Sequence, residues 1–530
     1  MKARNRAWAA LVGVAVCVAA GATDLRVPPI PAKDAAKVFP DAPEPWRDYL
    51  AKARAAERIA DPLQRCLAFP DLPGNHWPEG HAVAHCAFHA MQDAPAIKLD
   101  ELDGYLARGD TKGLRVRLDG YLARHYAKGA LGEDIDVVFE QFDASERSDN
   151  LSRSWLQSAP NDPYANLARA DYLLQRAWKA RGKQYVADTS VGNLENMQAQ
   201  VDQAIPLFDK ASKLEPRLLP AYVGLMEAAM LTGRDELGEA AFAAAEKQDP
   251  ACLYLIRQRM QSLRPRWGGS YEQLAAYMET LTLRLQEHPA IAIYLPWPYE
   301  DRASEFEGDE FYKSQAAALL DHAVDVGSHD QSLHETGEVA LNRIDAPVDT
   351  WRGLALLLQE ARFRHGDAWA DRVIAKYLVR YEPEWAMQYL ARAQKLAPDS
   401  GMLQYLLGAA HYNTHRYAEA QRYYAAAIKD PDYRQASLRE LSAMWLYDAG
   451  LDRKAGAIKA RPHVDRLLSE YPTDGRGWLY HFDCVARLGQ GISSEDIKRF
   501  LAVADRDDPQ QAKAIASFES VLKNVRTPLK

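Results

Sequence analysis

Small and bulky apolar residues recur along this chain at helical spacing. In the stretch from Val201 to Pro216, Ala204, Phe208 and Ala211 stand four and then three residues apart, and Pro216 follows five residues later. That spacing puts the first three on one helix face and the proline just past the helix end. The same set returns 34 residues on as Gly238, Phe242, Ala245 and Pro250. It returns again as Ala386, Leu390, Ala393 and Pro398, and as Ala420, Tyr424 and Ala427 with Pro431 one residue early. Leu407 and Gly408 precede Ala420 by about one helix and a turn; a large residue beside a small one lets two antiparallel helices approach closely. Sustained period-2 alternation is missing, so the pattern predicts no sheet. A helix pair that buries only one face must stack on the next pair, which predicts an all-α solenoid.

These residues resemble the tetratricopeptide repeat over about 200–250 and 386–431, with degenerate copies elsewhere. The aromatic residue that opens the first helix in that family is Tyr222 in one copy and is replaced by Gln404 in another. The stretch Ser154–Gly182, the corner "RPRWGGSYEQLAAYM" (Arg264–Met278) and the segment between Cys66 and Cys86 together resemble an uncharacterised bacterial family, the domain of unknown function four thousand and thirty-four, over roughly Asp61 to Pro289. That resemblance implies no activity. Between the repeat blocks, "IYLPWPYEDRASEFEGDEFY" (Ile293–Tyr312) breaks the helical period with proline and acid. The expected division is residues 1–22 as a leader, 23–150 as an N-terminal helical region stapled by a disulfide, 151–290 as repeats, 291–350 as an irregular joint or insertion, and 351–530 as further repeats.

Composition narrows the class. With 48 % hydrophobic and 26 % charged residues in 530, the chain reads as folded and globular. A net charge of −8 without a long basic run argues against a nucleic-acid partner, which demands clustered Lys and Arg. The start, "MKARNRAWAALVGVAVCVAAGATDL", is basic, then apolar from Ala7 to Ala22, with Ala20-Gly21-Ala22 fitting an export cleavage site. The expectation is a periplasmic or secreted protein with no membrane span after cleavage; an uncleaved anchor, or a lipoprotein through Cys17, is the lesser alternative, since Val16 rather than a small residue precedes Cys17. In an oxidising compartment Cys66 and Cys86 can pair around a turn-rich loop holding Pro70, Pro73, Gly74 and Pro78, while Cys252 and Cys484 read as buried thiols.

Candidate chemistry is sparse. "GHAVAHCAFHAM" (Gly80–Met91) sets His81, His85 and His89 at about 0°, 40° and 80° round a helix, a stripe opposite Val83, Ala84, Ala87, Phe88 and Met91. The stripe is expected to face solvent. His81 and His89 lie ~12 Å apart along the axis, so only an adjacent pair such as His85 and His89 can chelate, with further ligands from elsewhere. Trp267, Gly268 and Gly269 read as a structural corner, because a phosphate loop needs a preceding strand and a following Lys. The acids Glu300, Asp301, Glu305, Glu307, Asp309 and Glu310 read as a solvated surface without the ligand order of a calcium loop. The leading expectation is therefore a non-enzymatic interaction scaffold of the cell envelope, without cofactor. It would hold a protein or peptide on the first helices of its pairs, with Tyr222 and Tyr405 as lining candidates. The alternatives are a metal-dependent envelope enzyme or metal-binding protein using His85 and His89, and an immunity protein against a secreted toxin.

Overall fold

The computed structural model describes residues 39–127, 132–184, 186–364 and 367–525; the leader and Cys17 lie outside them. Among the described residues all regular structure is helical, and none of the helices is long and apolar enough to cross a membrane. The helices pack mainly on their neighbours in sequence. Successive pairs are Pro163–Arg181 with Val191–Leu214 and Leu219–Thr232 with Asp235–Glu246, with Leu253–Ser262 packed on Leu219–Thr232, then, further along, Ala368–Leu378 with Pro383–Leu396 and Gly401–Asn413 with Tyr417–Ala427. The fold is an all-α array of helix pairs.

Local sequence fixes where the helices begin. Asp162 accepts from the backbone N–H groups of Tyr164 (2.8 Å) and Ala165 (3.1 Å), with Pro163 in the first turn, where its missing N–H costs nothing. The small residues do what the pattern required. A Cβ on Gly408 would sit 2.6 Å from the Tyr424 ring, so the ring fills the groove a glycine leaves between paired helices. Gly224 plays the same part between pairs, where a Cβ would lie 2.3 Å from the Phe208 ring.

The segment 291–350 carries the helices Trp297–Ala303, Ser314–Val326 and Asp330–Asn342, so helix-on-helix stacking runs through the stretch marked in sequence as irregular. Its prolines do not break these helices because Pro298 stands in a first turn. The core also divides differently from the chain order. One apolar cluster runs from Phe88 to Leu295; a second joins Phe39–Cys86 to Val324–Ala410. The helix Trp46–Ala56 and the disulfide Cys66–Cys86 thus dock on the helix Thr350–Phe363. Tyr49 donates to the Ala355 carbonyl (3.1 Å), and buried Arg362 donates to the Cys66 carbonyl (2.8 Å) and to Asp71 (2.7 Å). The helix His81–Asp93 crosses from one core to the other: Ala82 and Cys86 belong to the second, Phe88 to the first.

Candidate functional site

This crossing corrects the expected orientation of the histidines. His85 is 2 % exposed and Val83 50 %, the reverse of a solvated histidine stripe. Periodicity assumed one buried face set by apolar residues; the helix is instead packed on both flanks, and the buried arc centres on the histidines. His81 Nδ1 donates to the Pro289 carbonyl (2.9 Å), which can only accept. Its Nε2 therefore accepts from the Ser328 hydroxyl (2.6 Å), and the Ser328 oxygen accepts from His85 Nδ1 (2.7 Å). This relay leaves the His85 Nε2 lone pair uncommitted among the described residues. His85 stacks on Phe363 at 3.9 Å. Burial lowers His81 to about 4 and drives His85 well below the ordinary imidazole range, so both rings stay neutral. His89 is lowered too, by burial, and lies 4.0 Å from Asp330.

The acidic run is corrected at two of its positions, while Glu305, Glu307, Asp309 and Glu310 are exposed as expected. Glu300 and Asp301 are buried rather than solvated. Glu300 accepts from Ser332 (2.8 Å) and pairs with His329 (2.7 Å). Asp301 joins Arg264 and Arg266, which tie it to the corner at Trp267. There Gly268 adopts φ 92°, a Cβ on Gly269 would meet the Leu263 carbonyl at 2.1 Å, and Trp267 packs edge-on to Trp178 at 5.7 Å. Cys252 and Cys484 are free, buried thiols.

A pocket of about 320 Å³ opens among the helices Asp134–Glu140, Pro163–Arg181, Leu219–Thr232 and Leu253–Ser262. Pro163–Arg181 and Leu219–Thr232 are the first helices of successive pairs, and Leu253–Ser262 packs on the latter. Its walls carry Asp136, Glu140, Asp171 and Glu227, with Tyr254 and Arg257. Glu140 is held by the Tyr254 hydroxyl (2.8 Å) and by Arg257 (2.8 Å), and Glu227 accepts from the Trp178 indole. Asp136, 3 % exposed, has no hydrogen-bond partner on either oxygen, and Asp171 Oδ2 is buried without one. Burial, and the neighbouring acids after it, push Asp136 and Asp171 well above the usual carboxylate range; burial raises Glu227. An unmet buried acceptor costs about 1–3 kcal/mol, so this arrangement is expensive unless a donor arrives from outside.

Tyr222 and Tyr405 do not line this pocket. Tyr222 is half-buried against the first core. Tyr405 lies between the rings of Tyr424 (5.6 Å) and Tyr433 (5.8 Å), its hydroxyl near Glu440 (3.5 Å). Sequence reading missed Asp136, Asp171, Ser328 and Asp330. A signal for the first was present: Asp136 interrupts the apolar run Ile135–Phe139, and a buried Asp is rare without a partner.

Among solved structures, the chain is similar to a tetratricopeptide-repeat domain titled "Crystal Structure of P58(IPK) TPR Domain", at 13 % identity, covering 72 % of this chain and 96 % of that one with a TM-score of 0.22. Superposition that loose decides nothing about curvature or partner, and the helix-pair architecture stands on the chain's own packing. No protein-family model and no curated protein matches the chain.

Proposed function

We propose that this protein is a non-enzymatic binding scaffold of the periplasm or cell exterior. Its N-terminal repeats take a Lys or Arg side chain of a protein partner into the pocket of Asp136, Asp171 and Glu227. The observation that carries the reading is the set of buried carboxyl oxygens without partners, both of Asp136 and Oδ2 of Asp171, on the entry helix and the first helix of the array. Without a guest they hold protons; a cation favours their charged forms, and a salt bridge forms where the low dielectric strengthens it. Binding therefore releases protons and tightens as pH rises. Glu140, fixed by Tyr254 and Arg257, shapes the wall. The Cys66–Cys86 disulfide and the leader-like first 22 residues support an oxidising compartment.

The test places a photo-crosslinking residue at Gln175 or Val223 on the pocket, and at exposed Val191 as control, in the full chain in envelope extracts. A partner captured from the pocket positions only, and lost in the double variant D136N/D171N, is the expected outcome. Capture unaffected by D136N/D171N, equal capture from Val191, or no capture at all would overturn the reading. A purified Lys- or Arg-bearing peptide cut from the captured protein should then bind at least tenfold more weakly to the double variant.

A further inference from the structure

We propose that His85, His89 and Asp330 bind one first-row divalent cation, Zn²⁺ by the chemistry of the donors, as a clip across the seam between the two cores. Two imidazoles and a carboxylate are a donor set suited to Zn²⁺. One ligand atom from each lies within 4.8 Å of the other two. A tetrahedral ion with bonds of ~2.0–2.2 Å holds its ligand atoms roughly 3.3–3.5 Å apart, so closure asks for side-chain shifts of about 1 Å. His85 and His89 stand four residues apart on one helix face, the spacing at which adjacent imidazoles reach one ion.

Three further observations point to a ligand. The relay from the Pro289 carbonyl through His81 and Ser328 fixes the proton of His85 on Nδ1 and presents Nε2 as a bare lone pair. Metal-binding histidines are held in this way by a hydrogen bond on the far nitrogen. Asp330 Oδ1 is buried with no hydrogen-bond partner, and its other oxygen has only long contacts, to His89 at 4.0 Å and Arg364 at 3.7 Å. Finally, the ligands come from segments about 240 residues apart, His85 and His89 from the crossing helix and Asp330 from the first turn of Asp330–Asn342.

A second cluster, of one histidine and two carboxylates, makes the contrast. His125, Glu133 and Asp136 also bring ligand atoms together. There both nitrogens of His125 are engaged, Nδ1 with the Gly132 carbonyl (2.8 Å) and Nε2 with Asp249 (2.9 Å), and Glu133 accepts from the Leu253 amide (2.7 Å). That histidine has no lone pair to offer. The seam has one.

The test uses the full chain, free of affinity tag and stripped with chelator, titrated calorimetrically with Zn²⁺. One equivalent is expected to bind, and Co²⁺ in its place should give visible d–d bands. H89Q and D330N should each weaken binding at least tenfold, and S328A about tenfold through the lost tautomer control. The unfolding temperature should rise with Zn²⁺ in the parent chain and not in D330N. Both His89 and Asp330 are partly exposed, and unfolding of the metal-free variants checks that they fold. No stoichiometric binding, parent-like affinity in both H89Q and D330N, or Co²⁺ bands of thiolate ligation from Cys252 or Cys484 would overturn the proposal.

Discussion

In the second core and the helices beyond it, three buried acids have close partners. Asp371 meets Arg392 at 2.9 Å, Asp474 meets Arg439 (2.6 Å) and Gln435 (2.9 Å), and Glu57 accepts from the Tyr389 hydroxyl at 2.5 Å. In the N-terminal repeats, built on the same helix pairs, Asp136 and Asp171 have unmet oxygens. Burying a carboxylate is costly in both places, and the cost is offset internally at those three acids and not at Asp136. The difference teaches that the helix-pair scaffold does not by itself require buried acids to go unpaired. Where they do, as at Asp136, the guest is the proposed donor.

The comparison breaks most visibly by removing a paired acid. Asp474 also caps the helix Gly475–Arg487 by accepting from the Gly477 amide at 2.9 Å. Asp474→Ala should cost about 3 kcal/mol in denaturant unfolding, from a lost cap and a stranded Arg439; the partial solvation of that arginine keeps the loss at the low end. Parent-like stability would erase the contrast between the blocks.

The N-terminal block has paired acids of its own, and pH reads one of them, Asp249 with His125. Burial opposes charge on His125, but the hydrogen bond to Asp249, with the charge of Asp249 and the nearby carboxyls, outweighs it and raises the imidazole to about 9. A pKa raised in the folded state adds stability that is complete below the unfolded value of ~6.5 and is lost as pH climbs through the folded one. Unfolding free energy should therefore decline between pH 6.5 and about 9, and H125Q should flatten that decline.

Packing, unlike charge, should respond alike in both blocks. Gly224→Ala and Gly408→Ala each drive a Cβ into an aromatic ring and should cost about 1–3 kcal/mol. A large loss in one block with none in the other would mean that only one uses the close approach.

These glycines also show how much of the fold was legible. Gly408 and Tyr424 stood in the repeat pattern, and the helix class, the disulfide and the buried thiols followed from spacing and proline-rich turns. The docking of Phe39–Cys86 on Val324–Ala410 did not, because local periodicity carries no information on contacts some 300 residues apart. The same gap misplaced the histidines. The helix moment put Val83 inward and His85 outward, whereas a second packing surface and Ser328 reversed them. The site suffered most: Asp136 and Asp171 are legible as acids on apolar helices, but that they lack partners is a property of the assembled walls.

The smallest effect is the most discriminating. Asp136→Asn and Asp171→Asn replace protonated carboxyls that have unmet buried oxygens, so at about pH 3, below their unfolded values, they should change unfolding free energy by less than about 0.5 kcal/mol, against the loss at Asp474. The sign then depends on pH. Both carboxyls are raised by burial, so the stability they contribute is complete below their unfolded values and is lost as pH rises and the protons are forced off. The asparagine variants escape that loss and should become more stable than the parent as pH rises above neutrality, measured as the shift in denaturant midpoint. The same two substitutions should weaken the basic peptide. A pair of changes that leaves or improves the fold while abolishing the guest separates a binding pocket from a structural ion pair; destabilisation on the scale of Asp474→Ala would instead mean that these acids have a partner within the chain.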